Sequence, residues 1–162
     1  MDTVKDDAEV LRLGLVTGLV RRDAVVVWAD GLVAANRGRE IPVLLDLSLG
    51  ARKSVAELVS LLGEIPGTAR PANVGRRLAR EIYRGLRDGR IGVQSAARSM
   101  YGIMRDGYSP DDEFEMMAYT ADDGVDLALA GVYGTLAELS RDVLEFPQRY
   151  DDADELPVPS AS

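Results

Sequence analysis

Between residues 71 and 88 the apolar side chains repeat with a period that only a helix can use. At about 100° per residue, Val74, Leu78, Ala79, Ile82, Tyr83 and Leu86 fall on one half of a cylinder, and Arg76, Arg77, Arg80, Arg84 and Arg87 fall on the other. A strand would scatter both sets over its two faces. The segment therefore has to be a helix with one side in a core, and the rest of the chain has to supply the elements that cover that side.

The remaining segments read as further helices. A short one is expected at about 6 to 14, where Val10, Leu11 and Leu15 recur at helical spacing and Gly14 and Gly18 interrupt the pattern at its end. The run RRDAVVVWADGLVAAN (21–36) is apolar almost all round and reads as a largely buried helix, with Trp28 as a core anchor beside Ala24, Leu32 and Ala35. Val25, Val26 and Val27 are β-branched, but the run is too long for a strand. Pro42 suits the first turn of a helix through PVLLDLSL that Gly50 closes. Ser54 with Glu57 three residues later is a capping box opening a helix over 54–63. DGRIGV breaks the chain before a helix at about 93–106, and Ser109-Pro110 with Asp111, Asp112 and Glu113 after it signals another start. That helix runs to about 121 or to 130, with Phe114, Met117, Ala118, Ala121 and Val125 inward. Thr135 and Glu138 match a second capping box, for a last helix that Pro147 stops or kinks. The fold class expected is all-α: a compact bundle of seven or eight short helices, with stacked α-hairpins as the alternative arrangement. It is read as a single domain over 1–150, with a disordered acidic tail over 151–162.

Composition removes much chemistry. The 162 residues include no cysteine and no histidine. This excludes disulfides, thiolate zinc sites, cysteine nucleophiles and the side chain most used for proton transfer near neutral pH. No window approaches the roughly 18 consecutive apolar residues of a spanning helix, and the acidic start MDTVKDDAE is unlike a signal peptide, so a cytoplasmic protein without a membrane partner is expected. SLGARKS lacks the glycine that a phosphate loop places before its lysine, and Ser95 and Ser99 have no lysine at dyad spacing. No catalytic residue, cofactor or metal site is assigned.

The formal net charge of -8 is unevenly spread. Residues 1–65 carry 8 basic and 10 acidic side chains, residues 66–106 carry 9 and 3, and residues 107–162 carry 2 and 14. This segregation defines two surfaces. The arginines Arg76, Arg80, Arg84 and Arg87 could clamp phosphates, stand in solvent, or be neutralised by acids elsewhere in the chain. The overall acidity and the lack of stacking aromatics on that face argue against nucleic acid. Glu115, Tyr119, Asp122, Asp123 and Asp126 form the polar side of the acidic helix, and Tyr133 stands between glycines in GVYGT. These six are the candidates for a protein-binding surface. The carboxylates alone would also suit an oxygen-ligated metal enzyme, although ADDGVDLALAG does not match an EF-hand loop. The acidic and the arginine-bearing helices are expected to pack by their apolar sides.

The strings LRLGLV, VVWADGLVAA, IPVLLDLSLG and KSVAELVSLLGEIPG, with DDGVDLALAGVYGTLAELSRDVLEF near the end, together resemble a group of small all-helical bacterial proteins of unassigned activity. That group is thought to act as immunity proteins beside polymorphic or contact-dependent toxins. The resemblance spans residues 8–146. It implies a stoichiometric inhibitor that binds a protein partner, such as a cognate toxin, without turnover. It transfers no catalytic residue.

Overall fold

The computed structural model describes residues 2–131, 136–145 and 147–151. These form eight α-helices: α1 (Asp2–Thr17), α2 (Arg22–Ala34), α3 (Val43–Ser48), α4 (Val55–Gly63), α5 (Pro71–Arg87), α6 (Val93–Arg105), α7 (Asp112–Leu129) and α8 (Leu136–Glu145). Short 3-10 turns lie at Arg37–Arg39, Gly50–Arg52 and Pro147–Tyr150. No strand occurs among the described residues, so the fold is all-α. The chain divides after Arg70 into two compact units, α1–α4 and α5–α8.

In the first unit, α1 is longer at both ends than the 6–14 read from the sequence. Its acidic start suits the positive end of a helix dipole, and Gly14 lies inside the helix at a point where Val20 leaves no space for a side chain. The core joins Leu11 and Leu15 of α1, Val25 and Trp28 of α2, Leu44 and Leu47 of α3, and Leu58 and Leu62 of α4. Trp28 is buried as expected, its indole N–H donating to Asp7 at 3.4 Å. The capping box of α4 forms in full. Ser54 Oγ accepts from the Glu57 N–H at 3.2 Å, and the Glu57 carboxylate accepts from the Ser54 N–H at 2.7 Å. The segment after α4 is tied back to α1 by the fully buried carboxylate of Asp6. It accepts from the Arg70 backbone N–H at 2.7 Å and from Arg70 Nε at 2.8 Å, with Nη2 2.6 Å away.

In the second unit, α5 is covered by α6, α8 and the Pro147–Tyr150 turn. Val74, Leu78, Ala79 and Ile82 are buried, as its period requires. Both α5 and α6 end in a left-handed glycine, Gly89 (φ 70°) and Gly107 (φ 83°), which turns the chain back. In each case the glycine N–H and the next N–H bond back to the last turn: Gly89 to Leu86, Arg90 to Gly85, Gly107 to Met104, Tyr108 to Ile103. The loop after Gly107 lies directly on α5. A Cβ built on Gly75 would stand 1.8 Å from the Tyr108 carbonyl oxygen and 2.9 Å from Pro110 Cδ. Helix α7 then starts two residues later than Ser109 suggested. Asp111, with an extended backbone, is its N-cap and accepts from the Phe114 N–H at 2.8 Å. It continues to Leu129, matching the longer of the two readings. It packs on α6 and α8, not chiefly on α5 as expected, because the short Gly107 turn makes α6 and α7 a hairpin. The capping box at Thr135 and the tail over 152–162 lie outside the described residues.

Two substitutions test these constraints. Gly75→Ala would gain about 1 kcal/mol from helix propensity alone, yet the collision with Tyr108 is expected to reverse the sign and destabilise by about 1–3 kcal/mol in urea unfolding. Arg70→Ala removes a charged side-chain donor from the buried Asp6 and is expected to cost about 2 kcal/mol by the same measurement.

Candidate functional site

Helix α7 buries Phe114, Ala118, Ala121 and Val125 on one stripe, which fixes what the other side presents. Glu115, Tyr119, Asp122 and Asp126 recur at spacings of four, three and four and form one outward row. Glu115, Asp123 and Asp126 are exposed, Asp122 is half-buried, and Tyr119 is 56% exposed. None of these four carboxylates makes an ion pair or a side-chain hydrogen bond among the described residues. The Tyr119 ring meets Tyr101 of α6 edge-on, with centroids 5.9 Å apart at 78°, so one of its edges is held while the rest faces outward.

The adjacent row contains what sequence reading missed. Met116 is 71% exposed and Leu127 40%, with Asp123 between them. Both lie opposite the inward stripe, and that offset could have identified them from the sequence. The face is thus an apolar strip of Met116, Tyr119 and Leu127 among unpaired carboxylates. Five of the six predicted contact residues share it, and the sixth, Tyr133, lies outside the described residues.

The base of α7 is fastened by the turn after α8. The Tyr150 hydroxyl donates to Asp111 Oδ2 at 2.7 Å, its ring packs edge-on to Phe114 at 6.2 Å, and Arg149 pairs with Glu113. Partial burial pushes the Asp111 carboxyl up. The Tyr150 hydroxyl, the Phe114 N–H and the nearby Arg149 and Arg76 outweigh that and hold it below its ordinary value. Burial, and then the bond to Asp111, push the Tyr150 phenol up.

The arginine face departs from a row open to solvent. Arg76 and Arg87 are exposed, but Arg80 is only 9% exposed and Arg84 is half-buried. Arg77 is 5% exposed, and Glu81 on the same helix is buried too. Asp151, read from sequence as the start of a disordered tail, lies 3.9 Å from Arg80 Nε and 3.6 Å from Arg84 Nε. Arg87 pairs with Asp88 at 2.9 Å and lies over the Tyr83 ring. The reason is architectural. The Pro147–Tyr150 turn packs along α5, so the helix is enclosed on part of its polar side as well, and guanidinium groups there meet acids of the same chain.

Among the described residues, no three carboxylates come together as a metal-binding group, and no helix is long and apolar enough to cross a membrane. Gly50–Arg52 of SLGARKS is a 3-10 turn leading to the Ser54 cap. No protein family matches the chain, and no curated protein or solved structure is significantly similar to it.

Asp111, held below its ordinary value, contributes stability that depends on pH. A carboxylate whose folded value lies below its unfolded one adds stability above the unfolded value, and this is lost as pH falls through the folded one. Thermal unfolding from pH 7 into the acid range should show Asp111→Asn losing less stability than the parent as pH falls below about 4. The asparagine retains a capping oxygen but not the titrating group.

Proposed function

We propose that the protein works by binding a cationic protein partner through the outward face of α7, as a stoichiometric and non-catalytic inhibitor of the immunity type. The observation that carries this reading is the pairing state of the acids. Four carboxylates on α7 are left without cationic partners among the described residues, although the same chain holds an arginine-rich helix. They surround an exposed methionine, tyrosine and leucine. Exposed aromatic and methionine side chains supply binding energy at protein interfaces, and surrounding charge sets approach rate and partner choice. A basic enzyme whose active site handles nucleic acid is the kind of target that such a face would cover. The strings that resemble small all-helical bacterial proteins of unassigned activity, thought to act as immunity proteins, lead to the same reading. The alternative of a nucleic-acid regulator is disfavoured by the burial of Arg77 and Arg80 and by Asp151 beside Arg80 and Arg84.

The test starts from the product of the gene adjacent to this one, the partner expected for an immunity protein, measured by surface plasmon resonance. Asp122→Lys with Asp126→Lys should slow association about tenfold at low salt and much less at high salt. Tyr119→Ala should weaken equilibrium binding about tenfold, mainly through faster dissociation. Unchanged kinetics for both variants at both salt concentrations would remove this face from the account.

A further inference from the structure

The first unit holds a surface of opposite character. A groove of about 670 Å³ opens where the end of α1, the first half of α2 and the turn into α4 meet. Its apolar walls are Leu15, Val20, Val26, Val27 and Val55, and Val27 and Val55 stay 45% and 40% exposed. Leu49, next in the chain to the lining residue Gly50, is 79% exposed. A ligand covering Val27, Val55 and Val26 would remove branched apolar surface from water.

The charges around the groove reverse the balance of the whole chain. Arg21 and Arg22 line it, with Asp23 as the one lining acid. Lys53 packs beside Gly50, and Arg52 is exposed in the same turn. Asp23 is tied to Arg21 at 3.0 Å, and Arg22 donates to the Ala51 carbonyl at 3.0 Å, which fixes the wall. Glu57, the nearest acid of α4 in sequence, is turned back onto Ser54. Arg52 and Lys53 make no salt bridge among the described residues. Arg21, Arg22, Arg52 and Lys53 thus stand against Asp23 and Glu57, a local excess of two positive charges in a chain of net charge -8.

We infer that this groove docks an acidic amphipathic helical segment of a partner protein. Its apolar anchors fill the valine-lined floor, and its carboxylates meet Arg21, Arg52 and Lys53. Helix-in-groove recognition needs these two parts, an apolar trough and a rim of charge opposite to that of the ligand. A peptide is favoured over a small amphiphile because several separate cations, Arg21, Arg22 and Lys53, border the groove, more than one headgroup carboxylate would meet. The inference is independent of the α7 reading, since it concerns another unit and a partner of the other sign.

The probe is a fluorescent peptide of about four helical turns, with leucines on one face and glutamates on the rest, titrated into the full chain by anisotropy. Saturable binding is expected. It should weaken at least about tenfold with Arg21→Glu plus Lys53→Glu, and likewise with Val27→Asp. Added salt should weaken it, and Asp122→Lys with Asp126→Lys on α7 should leave it no weaker. Circular dichroism checks the fold. If Val27→Asp fails to fold, Val55→Glu replaces it, because an acid is welcome in the first turn of α4. The inference is overturned if a charge-matched peptide with scattered leucines binds as well, if dodecanoate binds while the peptide does not, if the groove variants bind the peptide unchanged, or if Val27→Asp abolishes self-association instead of peptide binding.

Discussion

The bare backbone of Gly75 is the contact on which the presentation of the second unit depends. The Tyr108 carbonyl and Pro110 approach α5 where no side chain fits, and that seat determines where the chain stands when α7 begins. Asp111, the residue after Pro110, then caps the helix, and Phe114 is delivered inward. Rotation of a helix by one residue is about 100°. A change of that size at its start would put Met116 where Glu115 or Met117 now stands and Asp123 where the half-buried Asp122 or Gly124 stands, so the pattern that α7 presents depends on a glycine of another helix.

The charge segregation of the sequence becomes, in three dimensions, a difference in burial. Arginine stems are long and apolar, so Arg77 and Arg80 can lie within a helical packing, with the Arg80 head near Asp151. Aspartate has no such stem, and the carboxylates of α7 stay at the surface. The positive and negative thirds of the chain therefore meet at Asp151, beside Arg80 and Arg84, and not along the outward row of α7. The cations of α5 are partly used inside their own unit, with Asp151 near two of them, whereas Glu115, Asp122, Asp123 and Asp126 of α7 have no cationic partner among the described residues.

What was legible in the sequence was local. The helix at 71–88, the Ser54 and Glu57 capping box and the DGRIGV break at Gly89 rest on propensity and hydrogen bonds within a few residues, which a string of letters specifies. Of the readings left open for the arginines, neutralisation by acids of the same chain is the one that Asp151 supports, and contacts distant in sequence decide it. Whether the polar side of α5 meets water depends on the Pro147–Tyr150 turn, some sixty residues away, and periodicity carries no word of it. Asp111 displaced Ser109 as the cap of α7 in a loop whose place is set by Gly75. Part of the acidic face was readable because Glu115, Tyr119, Asp122 and Asp126 share a helical row, but Met116 and Leu127 pass for core residues until the inward stripe is assigned. The groove could not be foreseen, since Leu15, Val27 and Val55 come from three separated segments.

The order of elements in the second unit has a consequence for biosynthesis. Its most enclosed helix, α5, leaves the ribosome first, whereas Tyr150, which bonds to the cap of α7, and Asp151, which stands near the guanidinium groups of α5, emerge last. The first unit has its internal tie complete as soon as Arg70 has been added to a chain already holding Asp6. The nascent protein is thus expected to mature in two stages, an early closure and a late one. During the interval between them α5 is without its final cover, and this is when chaperones or proteases would find it.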